Sequence, residues 1–177
     1  MSKTIFRLGV FLVLCVRFSA AAPVTVNVAI EGPNQFRVGL SAMVAAPRAA
    51  VWKVLTDYNH HAGILPYMSK SRVVVRNPTY ITVEQEGKIR ILFWTFTMRV
   101  TQQVTEVPPS KMRFRAIAGD FQRLEGTWHL RSNGPATDLE SQFLVQPKRY
   151  VPEWAVRFTA RHYLAAMVRS LQYHAEH

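Results

Sequence analysis

The pattern that most constrains the fold is a series of eight strand-like runs between residues 24 and 146, followed by one long amphipathic helix. Within these runs apolar and polar residues alternate, as they do over residues 24–30 and 36–44. Such alternation predicts antiparallel strands with one face in a core and the other in water. The order predicts an α+β domain in which a curved antiparallel sheet wraps around the closing helix and encloses a hollow.

Two helical stretches are expected in addition to the strands. The first begins after Pro47, where Val51, Val54 and Leu55 make a helical stripe, so it is a short helical insertion after the second strand. The second begins after Pro152 and extends for about 20 residues, or roughly 30 Å, with a broad apolar face. A proline in the first turn of a helix loses no backbone hydrogen bond, which supports both starting points.

The N-terminal residues have the layout of a secretory signal peptide. Lys3 and Arg7 precede an apolar run over residues 8–16, and small residues at positions 19–22 suit a signal peptidase. The apolar run is too short to span a bilayer as a helix. We therefore expect a signal peptide of residues 1–21 and export to the bacterial periplasm.

Cleavage after Ala21 leaves one domain, residues 22–177, while Arg17 keeps an uncleaved anchor as the alternative. Cleavage removes three basic residues, so the formal net charge falls from +11 to +8. It also removes Cys15, the single cysteine, so the mature chain depends on its core and not on disulfides. A basic exported protein favours anionic partners such as lipid headgroups, and we expect no nucleic acid.

Three segments follow one another in an order that is characteristic of a known superfamily. Residues 46–73 contain a helix, the break Asp57-Tyr58, a proline and a strand; residues 119–130 contain Gly119-Asp120-Phe121 and Glu125-Gly126-Thr127-Trp128; residues 147–154 lead into the last helix. Together they resemble the START-like, helix-grip (SRPBCC) superfamily, and within it the polyketide cyclase/dehydrase and coenzyme Q-binding branch. The resemblance extends over residues 24–175.

The resemblance implies a cavity between the sheet and the last helix, used for lipid-like, isoprenoid or polyketide molecules. Aromatic and methionine side chains suit the wall of such a cavity, because methionine adapts to irregular apolar ligands. The same side chains can instead fill a core without a guest, and both interpretations stay open. The candidate wall residues are Trp94, Phe96, Met98, Phe114, Trp128 and Phe143, with Tyr163 and Met167 facing them from the helix.

Basic and aromatic residues cluster where the last helix begins. This mixture suits the interface of an anionic membrane, and the alternative is an ordinary solvated face. Each basic residue near an anionic surface contributes about 1 kcal/mol, so four of them predict weak, salt-sensitive docking. The candidate membrane-facing residues are Lys148, Arg149, Trp154, Arg157 and Arg161, with Tyr150 beside them.

Asp57, Tyr58, Glu125 and His129 are the candidates for acid–base chemistry. A cyclase or dehydratase needs a buried base within reach of an acidic C–H and a donor that holds the enolate. If Trp128 faces the cavity, His129 faces water, while Asp57 suits the end of a helix. We therefore assign no catalytic residue.

The adjacent histidines His60 and His61 are a candidate metal pair. Neighbouring side chains in a helix diverge, however, and no acidic residue or cysteine follows at ligand spacing. His174 and His177 fit a frayed C-terminal end better than a metal site. The sequence therefore predicts no metal site and no cofactor.

These observations predict an exported binding protein or carrier for a hydrophobic small molecule, which is a lipid, an isoprenoid or quinone, or a polyketide-like compound. The alternative is a cyclase/dehydratase-type enzyme in the same cavity. A third interpretation is an interaction module with a filled core and a basic face for an acidic partner. Fold alone does not choose among them, but an ionisable side chain that points inward would favour the enzyme.

Overall fold

The computed structural model describes residues 24–91 and 93–176. The predicted signal peptide, residues 1–21, lies outside the described residues. In chain order the elements are β1 (Thr25–Gly32), β2 (Gln35–Val44), α1 (Arg48–Leu55), a 3-10 turn (Tyr58–His60), α2 (His61–Ile64), β3 (Met68–Arg76), β4 (Ile81–Ile91), β5 (Trp94–Val107), β6 (Lys111–Gly119), β7 (Phe121–Asn133), β8 (Ala136–Pro147) and α3 (Glu153–Glu176).

The eight strands form one antiparallel sheet in the order β1-β2-β8-β7-β6-β5-β4-β3. Strands β3 to β8 follow one another as neighbours, and β8 returns beside β2. The segment with α1 and α2 carries the chain from β2 to β3, at the opposite edge of the sheet. A sheet of this width twists strongly, and the twist makes one face concave. The predicted α+β architecture, with a helical insertion after the second strand, is confirmed.

Helix α3 lies on the concave face of the sheet, which we call the inner face. Near its start, Val156 packs with Val28 and Val38 of β1 and β2. Nearer its end, Met167 and Leu171 join a larger cluster that includes α1. Each buried aliphatic side chain contributes roughly 1.5–3 kcal/mol, so this packing holds the helix to the sheet. No helix among the described residues is long and apolar enough to cross a membrane.

The strand register assigns side chains to the two faces of the sheet. In the β4–β5 ladder Ile81 pairs with Val104 and Val83 pairs with Gln102, so these four side chains share the inner face. Val83 and Val104 are buried, as the alternation of the sequence predicts. The outer face carries ion pairs such as Arg72–Glu84, which joins β3 to β4 and whose closest atoms are 2.6 Å apart.

A turn residue holds the segment that leads into α3. Asn34, between β1 and β2, has a left-handed backbone with φ of 53°, a conformation that asparagine tolerates. Its Nδ2 donates to the carbonyls of Pro147 and Arg149, at 2.8 and 3.0 Å, and its Oδ1 accepts from the N–H of Val151. One side chain therefore fixes the approach to α3.

Candidate ligand cleft

The inner face of β5 passes from a buried end to an exposed end. Val104 is buried among α1 and α3, whereas Phe96 and Trp94, on the same face of the strand, are 50% and 64% exposed. Met98 and Val100, between them, are half-buried. The inner face is therefore covered beside α1 and uncovered where β4 and β5 meet, and we call the space between this face and α3 the cleft.

Two phenylalanines occupy the middle of the cleft floor. Gly126 of β7 pairs with Phe114 on one side and with Phe143 on the other, and the two rings are 6.2 Å apart. A Cβ at Gly126 would lie 2.4 Å from the Cβ of Phe143, so only glycine allows this approach. Both rings are half-buried, and Trp128, closer to α1, is buried.

A polar band crosses the inner face between the apolar core and the exposed aromatic end. Gln102 Nε2 donates to Gln85 Oε1 at 2.9 Å, which links β5 to β4. Gln85 Nε2 lies 3.2 Å from Ser71 Oγ and 3.3 Å from His61 Nδ1. The lining of the cleft is therefore not wholly apolar.

His61 at the start of α2 is held as a neutral imidazole. Burial lowers the pKa of His61, and the carbonyls of Val54 and Leu55, with Asp57, act in the opposite direction. Because Nδ1 faces the amide nitrogen of Gln85, the ring proton belongs on Nε2. Nε2 is buried and has no hydrogen-bond partner among the described residues, so neither ring nitrogen offers a free base to the cleft.

Tyr163 connects α3 to the far side of the sheet. Its hydroxyl accepts from the N–H of Arg90 at 2.6 Å and donates to the carbonyl of Arg90 at 3.2 Å. Its ring meets the ring of Tyr67 edge-on, with centroids 5.4 Å apart. Arg90 pairs with Thr95, between Trp94 and Phe96 in sequence, so the open end of the cleft lies beside this contact.

The predicted wall residues thus occupy three settings. Trp128 and Met167 are buried in the core, Met98, Phe114, Phe143 and Tyr163 are half-buried along the cleft, and Trp94 and Phe96 are exposed at its open end. Contact of these residues with a ligand stays a prediction.

The predicted membrane-facing residues lie at and before the start of α3. Trp154 is 57% exposed, and the neighbouring Phe158, which the sequence analysis did not single out, is 49% exposed. Arg161 is exposed, whereas Arg157 is tied by hydrogen bonds to Glu153 and to the carbonyl of Val28. Other exposed members of the group are Lys148, Arg149 and Tyr150, and Arg169 extends the basic surface along the helix.

The four acid–base candidates do not form a common site. Asp57 Oδ1 bonds to His60 Nδ1 at 2.7 Å on the surface. Tyr58 is buried and donates to Glu106 Oε1 at 2.6 Å, and burial first, then this bond, raises the pKa of Tyr58. Glu125 pairs with Arg123.

His129 lies on the face of β7 opposite Trp128 and is half-buried. The two histidines weighed as a metal pair are likewise divided, since His60 is exposed and His61 is buried. Within the part of the chain that the structure describes, no group of three or more His, Cys, Asp or Glu side chains is placed to hold a metal ion.

The polar band was not predicted from the sequence. Its signal was present, because Gln85 and Gln102 stand at inward positions of alternating strands, in step with Val83 and Val104. Polar residues at positions where the pattern requires apolar ones indicate a functional surface more often than a packing error. The position of His61 against them depends on how α2 packs and could not be read from strand alternation.

The curved sheet, the helix on its inner face and the cleft between them define a START-like, helix-grip protein. The family described as polyketide cyclase / dehydrase and lipid transport matches residues 44–172. The chain belongs to this family. The family includes both enzymes and lipid carriers, so the chemistry of the cleft has to distinguish them. A search of curated proteins gives no match.

Solved structures share the fold at low sequence identity. The STAR-related lipid transfer protein from Xanthomonas axonopodis has a TM-score of 0.70 and 17% identity, over 87% of this chain and 94% of its own. The ZhuI aromatase/cyclase from Streptomyces sp. R1128 has a TM-score of 0.68 and 18% identity, over 80% of this chain and 94% of its own. A START superfamily protein from Mycobacterium smegmatis has a TM-score of 0.67 and 18% identity, over 79% of this chain and 97% of its own. At these identities the likeness concerns the fold.

Proposed function

We propose that this protein binds a hydrophobic small molecule in the cleft between the sheet and α3 and acts as its carrier. The observation that supports this most directly is the exposure of inward-facing apolar side chains, namely Met98, Phe114 and Phe143 at half burial and Phe96 at 50% exposure. Apolar surface that faces inward and still meets water is surface that a ligand can cover. Covering roughly 400 Å² of ligand contributes about 10 kcal/mol, before the cost of association.

An anionic membrane is the proposed source or destination of the ligand. Exposed aromatic and basic side chains occur together where α3 begins, with Trp154 and Phe158 beside Arg161 and Arg169. Phe93, in the turn from β4 to β5, is 88% exposed next to the open end of the cleft. Aromatic rings enter the headgroup region and arginines remain at its phosphates, so this surface suits a peripheral and salt-sensitive contact.

Export to the periplasm is part of the proposal and derives from the signal-peptide pattern of residues 1–21. The intact mass of the protein purified from its own cells tests it. A chain that begins at Ala22 and is released by osmotic shock supports an exported carrier. A full-length chain in the cytoplasmic fraction contradicts it.

A cyclase or dehydratase is the second candidate, because an ionisable side chain, His61, is found on the inner side. This candidate is weakened by the surroundings of the imidazole, since Nδ1 faces an amide nitrogen and Nε2 is enclosed. General base catalysis needs a ring nitrogen within reach of the proton that it removes. The binding role therefore has the stronger support.

Native mass spectrometry of the purified protein distinguishes the two candidates. A bound lipid, isoprenoid, quinone or polyketide, recovered unchanged after incubation, supports the carrier. A bound molecule whose mass falls by one water during incubation supports the dehydratase. A ligand-free mass, with no uptake from a lipid extract, contradicts both and favours a filled-core interaction module.

A further inference from the structure

Gln102 presents an unused hydrogen-bond acceptor to the cleft. One N–H of its Nε2 donates to Gln85, which leaves the second N–H for a ligand, and none of the described residues donates a hydrogen bond to its Oε1. The oxygen is not among the buried polar atoms without a partner, so it is open to the cleft. Gln102 is half-buried and adjoins Ala116 of β6, in the middle of the inner face.

The direction of the hydrogen bonds in the band determines which atom of Gln102 is free. His61 Nδ1 and Ser71 Oγ both lie near Gln85 Nε2, so the amide nitrogen of Gln85 faces them and its oxygen faces Gln102. Gln102 must then turn its own nitrogen towards Gln85 and its oxygen away. His61 therefore contacts Gln85, and Gln85 in turn contacts Gln102.

The polar band also lies at a defined depth. Towards α1 it is followed by the buried Val83 and Val104, and towards the open end by Met98 and Phe96. A molecule that inserts from the open end passes the aromatic side chains first and reaches Gln102 before the closed core. The polar part of such a molecule would therefore enter first, and its apolar part would remain between the aromatic side chains.

We propose that the ligand is a hydroxyl-bearing lipid-like molecule, of the isoprenoid or fatty alcohol type, whose hydroxyl group donates a hydrogen bond to Oε1 of Gln102. This inference rests on the proposed binding function and adds the substrate class. A hydroxyl group can donate to this oxygen, whereas a ligand that brings only a carbonyl oxygen can pair solely with the second N–H of the amide and leaves Oε1 without a donor. It also selects against a pure hydrocarbon, which would leave the amide oxygen desolvated and unpaired.

The test compares three probes with the same carbon skeleton, which are farnesol, farnesal and farnesene. Binding is measured as displacement of a fluorescent apolar dye from the protein as purified from its own cells. We expect farnesol to bind about tenfold more tightly than the other two, the amount that one buried hydrogen bond supplies. Gln102→Leu should remove this preference and leave the affinity for farnesene the same or higher.

Gln103 supplies the matched control. It is the next residue of β5, has the same side chain and faces outward, where Arg115 donates to its Oε1 at 3.0 Å. Gln103→Leu should leave the preference for farnesol intact, and thermal unfolding of both variants checks that they fold. If Gln102→Leu alone fails to fold, the wild-type protein still tests the preference for a hydroxyl group, because the affinities of the three probes are compared on wild type.

Each outcome has a separate meaning. Equal binding of farnesol and farnesene to wild type, or equal binding of farnesol and farnesal, overturns the hydroxyl inference and leaves the carrier standing. An unchanged preference in Gln102→Leu overturns the assignment to Gln102. Failure of all three probes to displace the dye overturns the proposed binding function together with the inference.

Discussion

The hydroxyl of Tyr163 on α3 makes two hydrogen bonds to the backbone of one residue, Arg90 on β4, as acceptor from its N–H and as donor to its carbonyl. On the other side of the helix, Arg157 donates to the carbonyl of Val28 on β1. The two contacts come from opposite regions of the sheet and meet the helix six residues apart in sequence. The sheet therefore holds α3 from both sides.

Tyr163→Phe removes both hydrogen bonds to Arg90 and keeps the ring. We expect the free energy of unfolding to fall by about 1 kcal/mol, and a bound dye to dissociate faster, because the open end of the cleft adjoins this contact. Urea unfolding and stopped-flow dye release measure the two effects. Tyr150→Phe is the control, since Tyr150 is 79% exposed. Equal dissociation rates in both variants would contradict a role for Tyr163 at the opening.

Ala116→Trp should fill the cleft. Ala116 faces inward opposite Gln102, so an indole at this position occupies space that a ligand needs. We expect uptake from a lipid extract to fall at least tenfold, as measured by native mass spectrometry. Ile117→Trp is the control, because Ile117 is exposed on the neighbouring position of β6. Normal uptake by a folded Ala116→Trp chain would exclude this cleft as the binding site.

Gly126→Ala should destabilise the fold, because the new Cβ would lie 2.4 Å from the Cβ of Phe143 and 2.5 Å from the carbonyl oxygen of Gln142. Backbone must move to relieve such contacts, at a cost of about 1–3 kcal/mol. Gly39→Ala is the matched control in β2, where a Cβ meets no atom within 4 Å. Urea unfolding should separate the two variants, and equal stability would refute the close approach.

His61 should make stability depend on pH. Its pKa is lower in the folded chain than the ordinary value of 6.5, so above pH 6.5 both states are neutral and nothing changes. Below pH 6.5 the unfolded chain takes up the proton more readily, and stability falls as the pH falls. The pKa values of the Glu31 and Glu86 carboxylates are also lowered, but these groups change the stability only below their ordinary pKa of 4.5. The effect of His61 can therefore be measured at higher pH, apart from theirs.

His61→Gln should flatten the pH dependence of the free energy of unfolding between pH 6.5 and about 5. Glutamine can still accept a hydrogen bond from Gln85, so the polar band is kept. His129→Gln, on the outer face of β7, is the control and should retain the slope of wild type. A slope that survives in His61→Gln would mean that another group is responsible.

Arg161→Glu should weaken binding to vesicles that contain anionic phosphatidylglycerol by roughly thirtyfold, because the reversal changes the charge by two units and each unit is worth about 1 kcal/mol. Co-sedimentation at low and high salt measures the effect, which salt should diminish. Arg131→Glu is the control for loss of net charge alone. Arg131 lies on β7 and pairs with Glu140 of β8, away from the start of α3. Equal losses in both variants would show that net charge, and not the surface at α3, governs the contact.

The fold could be predicted because alternation of the strands defines both their number and their faces. The inward positions of β4, such as Ile81 and Val83, are confirmed by the register, and Pro47 and Pro152 precede the helices that were expected after them. The cleft could be predicted less well. Whether Phe96 is buried or exposed depends on where α3 crosses the sheet, a property of tertiary packing that alternation does not contain.

Asn34 restricts the chain at the start of α3. Its three hydrogen bonds tie the approach to α3 to the β1–β2 turn, so the helix cannot swing away at its first residues. Across the opening, the paired ends of β4 and β5 are fastened to the helix by the hydroxyl of Tyr163. If the opening is to widen at this end, the two bonds between Tyr163 and Arg90 have to break, while the start of the helix stays tied to the β1–β2 turn.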